Sequence, residues 1–274
     1  MAIDNPLENV WLLLNGSLIF ALQVGIVMFY AAYHPGGRRA LLSQTLAAVL
    51  IAAVAFWGIG YVVAFGDSVW GIFGLPNRDI RPFSLQSPQD DITNFFFFNI
   101  QVAAVASMII SGVLGPRWNP VRRTIALVVF NAVLLPLPMH WIWGDGWLFA
   151  PGYNDFAGAT IVHMVAAGVL LGAGDVGGGG KQKAIPKRDP TLTWRGVGLM
   201  WIGWYGFNVG ATLSVEYGDL IILTALNTTV AGIGGLGGAW VSGLRRTQDG
   251  NLHLADGILV GLVTSTASCG FVAP

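Results

Sequence analysis

Eight stretches of about twenty mainly apolar residues run through this chain, near 10–33, 42–65, 93–114, 124–143, 156–174, 196–215, 219–243 and 253–273. They restrict its fold more than any other feature. A hydrocarbon layer of about 30 Å takes about 20 such residues per helix. Strands of a membrane barrel would alternate apolar and polar residues over about ten positions, and the run from Leu46 to Phe56 does not alternate. Only 10% of the 274 residues are charged, against about a quarter in an average soluble domain, so a water-soluble globule is excluded. The expectation is an all-α membrane protein with eight transmembrane helices in a single transmembrane domain over 1–274.

Orientation follows from the basic residues. One set of connections holds Arg38 and Arg39, then Arg117, Arg122 and Arg123, then Lys181, Lys183, Lys187, Arg188 and Arg195, then Arg245 and Arg246. The opposite set holds only Arg78 and Arg81, beside Asp67, Asp79, Asp90, Asp91, Asp145, Glu216 and Asp219. The basic set is therefore cytoplasmic and the N-terminus outside. MAIDNPLENV lacks a basic n-region and does not read as a cleavable signal. The net charge of zero gives no field toward nucleic acid. One cysteine, Cys269, rules out an intrachain disulfide framework and any CxxC metal cluster. Gly177 to Gly180 open the long inner connection; without the rest of a GxxxxGK[ST] pattern they read as a linker. No motif implies a cofactor.

Polar residues inside spans are costly and mark candidate functional positions. They are Asn15, Gln23, Asn99, Gln101, Asn131, His140, His163, Asn208 and Asn227. For the amides, ordinary bonding between helices is the simpler explanation. The pairs Gly168 and Gly172, Gly234 and Gly238, and Gly257 and Gly261 read as faces for close helix contact. The stretch from Met139 to His163 stands apart. Trp141, Trp143 and Trp147 suit an interfacial belt, and Asn154 or Asp155 suits a helix cap. His163 follows Asp155 by eight residues, which sets it about 12 Å deeper along a helix. A carboxylate at a mouth, an indole face and a deep imidazole also suit an amine-conducting pore.

At this point the chain resembles the ammonium transporter family, which includes methylammonium permeases and Rhesus proteins. The likeness is carried by MFYAAY (28–33), GYVVAFG (60–66), SGVLGPR (111–117), HWIWGDGWL (140–148), DFAGATIVH (155–163), GWYGFNVGA (203–211) and GLVTSTASCGF (261–271). It implies an eleven-helix inverted-repeat fold, assembled as a homotrimer with one pore per subunit in the cytoplasmic membrane. An inverted repeat is a known transporter plan. This chain supplies eight of those helices, so it is expected to be a piece of a longer transporter or a truncated member.

By the resemblance, ammonium or methylammonium is recruited at Trp143. Phe98 and Phe207 lie at an aromatic constriction, with Trp204 beside it on the sixth helix. Asp155 stabilises the entrance, and His163 is the first of two pore histidines. The family's second constriction phenylalanine is replaced by Val102 and its outer-site hydroxyl by Ala211, while its second histidine belongs to a tenth helix outside this chain. A cytosolic regulatory protein is a further implied partner. Two rival readings stand beside transport. One is an ammonium-sensing membrane module coupled to a cytoplasmic effector. The other is an intramembrane enzyme using His34, His140, His163 and His253, whose spacing lacks HExxH or an equivalent ligand pattern.

Overall fold

The computed structural model describes residues 6–34, 37–83, 91–114, 118–149, 152–176, 187–243 and 251–274. Among these, eight helical segments follow one another. They are α1 (Pro6–Ala31), α2 (Gly37–Phe65), α3 (Asp91–Leu114), α4 (Pro120–Trp143), α5, α6 (Pro190–Gly210), α7 (Gly218–Gly243) and α8 (Leu252–Ser265). α5 opens with a π turn, Ala159–Met164, and continues as Val165–Val176. α1, α2, α3, α4 and α7 are each long and apolar enough to cross a bilayer, while α5 and α8 are shorter apolar helices. The chain is a multi-pass membrane protein. Arg117, Lys181, Lys183, Arg245, Arg246, Asp90 and the glycine run Gly177 to Gly180 lie outside the described residues.

Several expected boundaries move: the first, second and fourth helices start four or five residues earlier, the fifth starts at Ala159 and the sixth ends at Gly210. Two of the shifts have a clear local reason. The sixth helix starts at Pro190, where 196 was expected, because the Asp189 side chain accepts a hydrogen bond from Leu192 N and proline stands at the first helical position. The eighth ends at Ser265, where 273 was expected, and the chain continues in turns. There the carbonyls of Thr266 and Ala267 accept the backbone N–H groups of Ala157 and Phe156. Inside the expected outer loop, β1 (Asp67–Val69) and β2 (Phe73–Leu75) form an antiparallel hairpin.

The residues group into two compact units: Leu42–Asp155 with Thr160–Gln182, and Pro6–Leu41 with Phe156–Ala159 and Lys183–Pro274. In the first unit, α2 and α4 each contain a π turn, Phe56–Gly60 and Phe130–Leu134. Pro136 accounts for the second. It has no N–H for the carbonyl one turn back and its ring crowds that carbonyl, so the ladder slips and Leu135 N reaches Phe130 O at 2.9 Å. The two π turns meet, since a side chain at Gly60 would collide with Asn131 O. Asn131 is fully buried; its amide donates to Leu127 O and bonds Ser107 of α3. Phe56, Tyr61 and Phe96 form an aromatic cluster beside it.

In the second unit, α1 and α6 pack through glycines. A Cβ at Gly25 would stand 2.6 Å from Gly196 O, and one at Gly203 would collide with Leu22 N. Gly257 and Gly261 form the expected contact face, meeting Gly235 and Ala231 of α7. At Gly168, Gly172, Gly234 and Gly238 nothing described lies within 4 Å of an added Cβ, so these faces meet no neighbour among the described residues. Spacing alone marks a small-residue stripe but not whether a neighbour fills it. At the end of the unit that carries the basic residues, Arg188 pairs with both oxygens of Asp256 at 2.8 and 2.9 Å. Its guanidinium lies 4.5 Å from the Phe29 ring centre. Burial pushes the nearby Tyr33 phenol up to about 12.

Candidate functional site

The stretch from Met139 to His163 is built around the end of α4 and the start of α5. α4 stops at Trp143 because Gly144 leaves helical geometry, with φ −116° and ψ 53°, and a side chain there would strike Ala64 O. The Trp143 indole, half-buried, donates its N–H to Asp155 O at 2.8 Å. Asp155 is itself buried. Its Oδ2 accepts the backbone N–H groups of Thr160 at 2.8 Å and Ile161 at 3.0 Å. One aspartate therefore holds the indole through its carbonyl and the start of α5 through its carboxylate. An anionic acceptor suits exposed backbone donors at a helix start, so the expected capping role is met directly.

His163 lies in the π turn that Asp155 caps, two residues beyond Ile161. Its Nε2 is buried, in a helix that carries no other ionisable residue between Ala159 and Ala173. A π turn widens the backbone by one residue, a feature often found at functional positions. Phe98 and Val102, four residues apart on α3, share one face of that helix and are 5% and 1% exposed.

The remaining expected residues belong to the other unit. Trp204 and Phe207 are buried neighbours on α6 with ring centres 6.4 Å apart. The Trp204 N–H donates to Thr266 Oγ1 at 2.9 Å, anchoring α6 to the end of α8. Ala211 is the residue that ends α6, and its N–H bonds Asn208 O at 3.2 Å. Trp143, Asp155, His163, Phe98 and Val102 thus fall in the first unit, and Trp204, Phe207 and Ala211 in the second.

His140 lies in α4, and its partners are distant in the chain. The ring is fully buried, with Nδ1 3.0 Å from Ala64 O and Nε2 2.9 Å from Ser68 Oγ. Ser68 stands 72 positions away in the chain, so no local pattern joins the two. Among the described residues no group of three or more His, Cys, Asp and Glu is placed to hold a metal ion. What this arrangement offers chemically is aromatic faces, one fixed carboxylate and a deep imidazole in apolar surroundings.

The sequence profile of the Ammonium Transporter Family matches residues 10–274. Ammonium transporter Amt2 of Archaeoglobus fulgidus is 29% identical over 98% of this chain and 61% of its own length. An ammonium transporter of Aquifex aeolicus is 28% identical over 97% and 64%. The chain thus spans somewhat less than two thirds of the length of these relatives. Among solved structures, one titled Sensor Amt Protein superposes with a TM-score of 0.86 at 26% identity, covering 98% of this chain and 70% of the other. Saccharomyces cerevisiae Mep2 shares the fold, with a TM-score of 0.83. The enzyme reading falls, because the matched family is one of transporters. The chain is a member of the Ammonium Transporter Family.

Proposed function

We propose that this protein moves ammonium or ammonia, with methylammonium as an analogue, across the cytoplasmic membrane as a homotrimer. Its N-terminus faces outward and its basic connections face the cytoplasm, where a cytosolic regulatory protein would dock. The cation is recruited at the Trp143 face, sheds its proton, and passes as ammonia along an apolar path lined by Phe98, Val102, Trp204, Phe207 and Ala211, with His163 as the deep hydrogen-bonding group.

Magnitudes favour that order of events. A desolvated cation over an indole gains about 2 kcal/mol, enough to concentrate ammonium without a carboxylate cage. Carrying the intact ion into hydrocarbon costs on the order of 20 kcal/mol by idealised Born arithmetic, and several even after relaxation. Removing the proton of an amine near the lysine value at neutral pH costs roughly three pKa units, about 4 to 5 kcal/mol. Splitting the ion is the cheaper route.

The supporting observation is the linkage Trp143–Asp155–His163, in which one buried aspartate orients the indole and starts the turn that carries the imidazole. The test is reconstitution in liposomes under an inward ammonium gradient. Currents or lumenal alkalinisation are expected, and replacing Trp143 or His163 should reduce them. Equal uptake by empty liposomes, wild type and both variants would overturn the transport reading.

A second reading, an ammonium-sensing module coupled to a cytoplasmic effector, draws on the likeness to the structure titled Sensor Amt Protein and on Val102 and Ala211. It predicts saturable ammonium binding by the purified protein with no flux in the same liposomes.

A further inference from the structure

We propose that His140 is a positioning residue for the outer aromatic site, holding the last turn of α4 so that the Trp143 indole keeps one orientation. The inference rests on the proposed role of Trp143 in recruiting a cation.

Ala64 O is one of the last carbonyls of α2, and such carbonyls have no partner within their own helix. It can only accept, so the Nδ1–H group of His140 donates to it at 3.0 Å, while Nε2 and the Ser68 hydroxyl share a hydrogen bond of 2.9 Å. Ser68 Oγ also stands 3.3 Å from Asp145 O, just beyond the end of α4. One side chain thus ties the last turn of α4 to the end of α2 and to β1. His140 and Trp143 are three residues apart, the spacing that makes helix residues neighbours on one face.

The surrounding backbone leaves that turn little freedom. Gly144 N closes the final helical bond onto His140 O at 3.1 Å, and Asp145 takes a positive φ of 54°. Beyond it, Trp147 N donates to Gly71 O, and the Trp141 indole donates to Ile72 O at 2.8 Å. The turn bearing Trp143 is therefore fixed to the hairpin and α2 on one side, while Asp155 fixes the indole edge on the other. Attraction of a cation to an aromatic ring depends on the cation lying over the face, so an indole free to rotate would recruit more weakly without altering the path beyond it.

The test uses the protein labelled with 5-fluorotryptophan, the Trp143 resonance being identified by its loss in Trp143→Phe. His140→Ala should shift or broaden that resonance. Ser68→Ala, which leaves the Nδ1 bond to Ala64 O in place, should do so less and keeps the test open if His140→Ala does not fold. His140→Asn, whose amide can occupy the Nδ1 position, should restore it. In liposomes, His140→Ala should raise the half-saturating methylammonium concentration about three- to tenfold, with the maximal rate within twofold. A tenfold change corresponds to about 1.4 kcal/mol of lost recruitment.

An unchanged Trp143 resonance in folded His140→Ala or Ser68→Ala protein would overturn the proposal, as would a fall in maximal rate at constant half-saturation. If the wild type carries no flux, the transport reading fails by itself, and the fluorine spectrum still decides whether His140 sets Trp143.

Discussion

Replacing Asp155 by alanine removes the group on which the start of α5 depends. Its Oδ2 receives two backbone N–H groups, Thr160 at 2.8 Å and Ile161 at 3.0 Å, and Asp155 and Ile161 are 2% and 0% exposed. A hydrogen bond to a charged group contributes about 1.5–3 kcal/mol, and a buried donor left without its acceptor carries its own desolvation cost. Loss of an N-cap alone typically costs about 0.5–2 kcal/mol. Roughly 3 kcal/mol is expected for Asp155→Ala, between the single-cap value and two full charged bonds. At about 2–4 °C per kcal/mol for a domain of 150–250 residues, that is a drop in Tm of roughly 6–12 °C. Asparagine keeps one carbonyl oxygen, and both bonds converge on a single oxygen, so Asp155→Asn should cost only about 1 kcal/mol. The assay is thermal unfolding in detergent followed by far-UV circular dichroism. A drop below about 2 °C for alanine, or an asparagine variant as unstable as the alanine one, would show that the cap does not hold this turn. Because His163 sits in the same turn, Asp155→Ala should also lower ammonium flux in liposomes in the fraction that remains folded.

Other outcomes follow from the same geometry. Gly203→Leu should destabilise by about 1–3 kcal/mol by forcing a side chain into Leu22. Gly168→Ala, which meets nothing within 4 Å, should stay within about 0.5 kcal/mol of wild type; paired melting curves check both. A double-mutant cycle on Arg188→Met and Asp256→Asn should give a coupling of about 1 kcal/mol. The pair is bidentate but Asp256 is half exposed, and exposed pairs contribute little; a coupling that does not weaken with added salt would contradict this. Tyr33 titrates higher folded than its ordinary value of 10. Its stabilising contribution is therefore complete below pH 10 and declines as pH rises toward 12. Melting temperatures from pH 9 to 12 should fall more steeply for wild type than for Tyr33→Phe.

The membrane fold was legible in the sequence because hydrocarbon leaves few options: unsatisfied backbone polar groups are excluded from it, so long apolar runs become helices. The capping role of Asp155 was legible for a similar reason, since an aspartate just before an apolar run has a local use. The three π turns were not legible. Pro136 hints at one, but a proline within a span is equally consistent with a kink. Nor could the glycine stripes be ranked. Gly257 and Gly261 meet α7 while Gly168 and Gly172 meet nothing described, although their spacing is identical.

By itself, then, the chain's order of residues determined where helices form, which ends carry the basic residues and which polar side chains were worth watching, because all of these depend on interactions within a few turns or with the solvent layer. Tertiary structure alone decided the partners. His140 reaches Ser68 across 72 positions and Trp204 reaches Thr266 across 62. The Trp143 indole takes the Asp155 carbonyl while that residue's carboxylate starts α5. A hydrogen bond needs an approach of about 3 Å at a defined angle, and only the packed chain brings such distant groups that close.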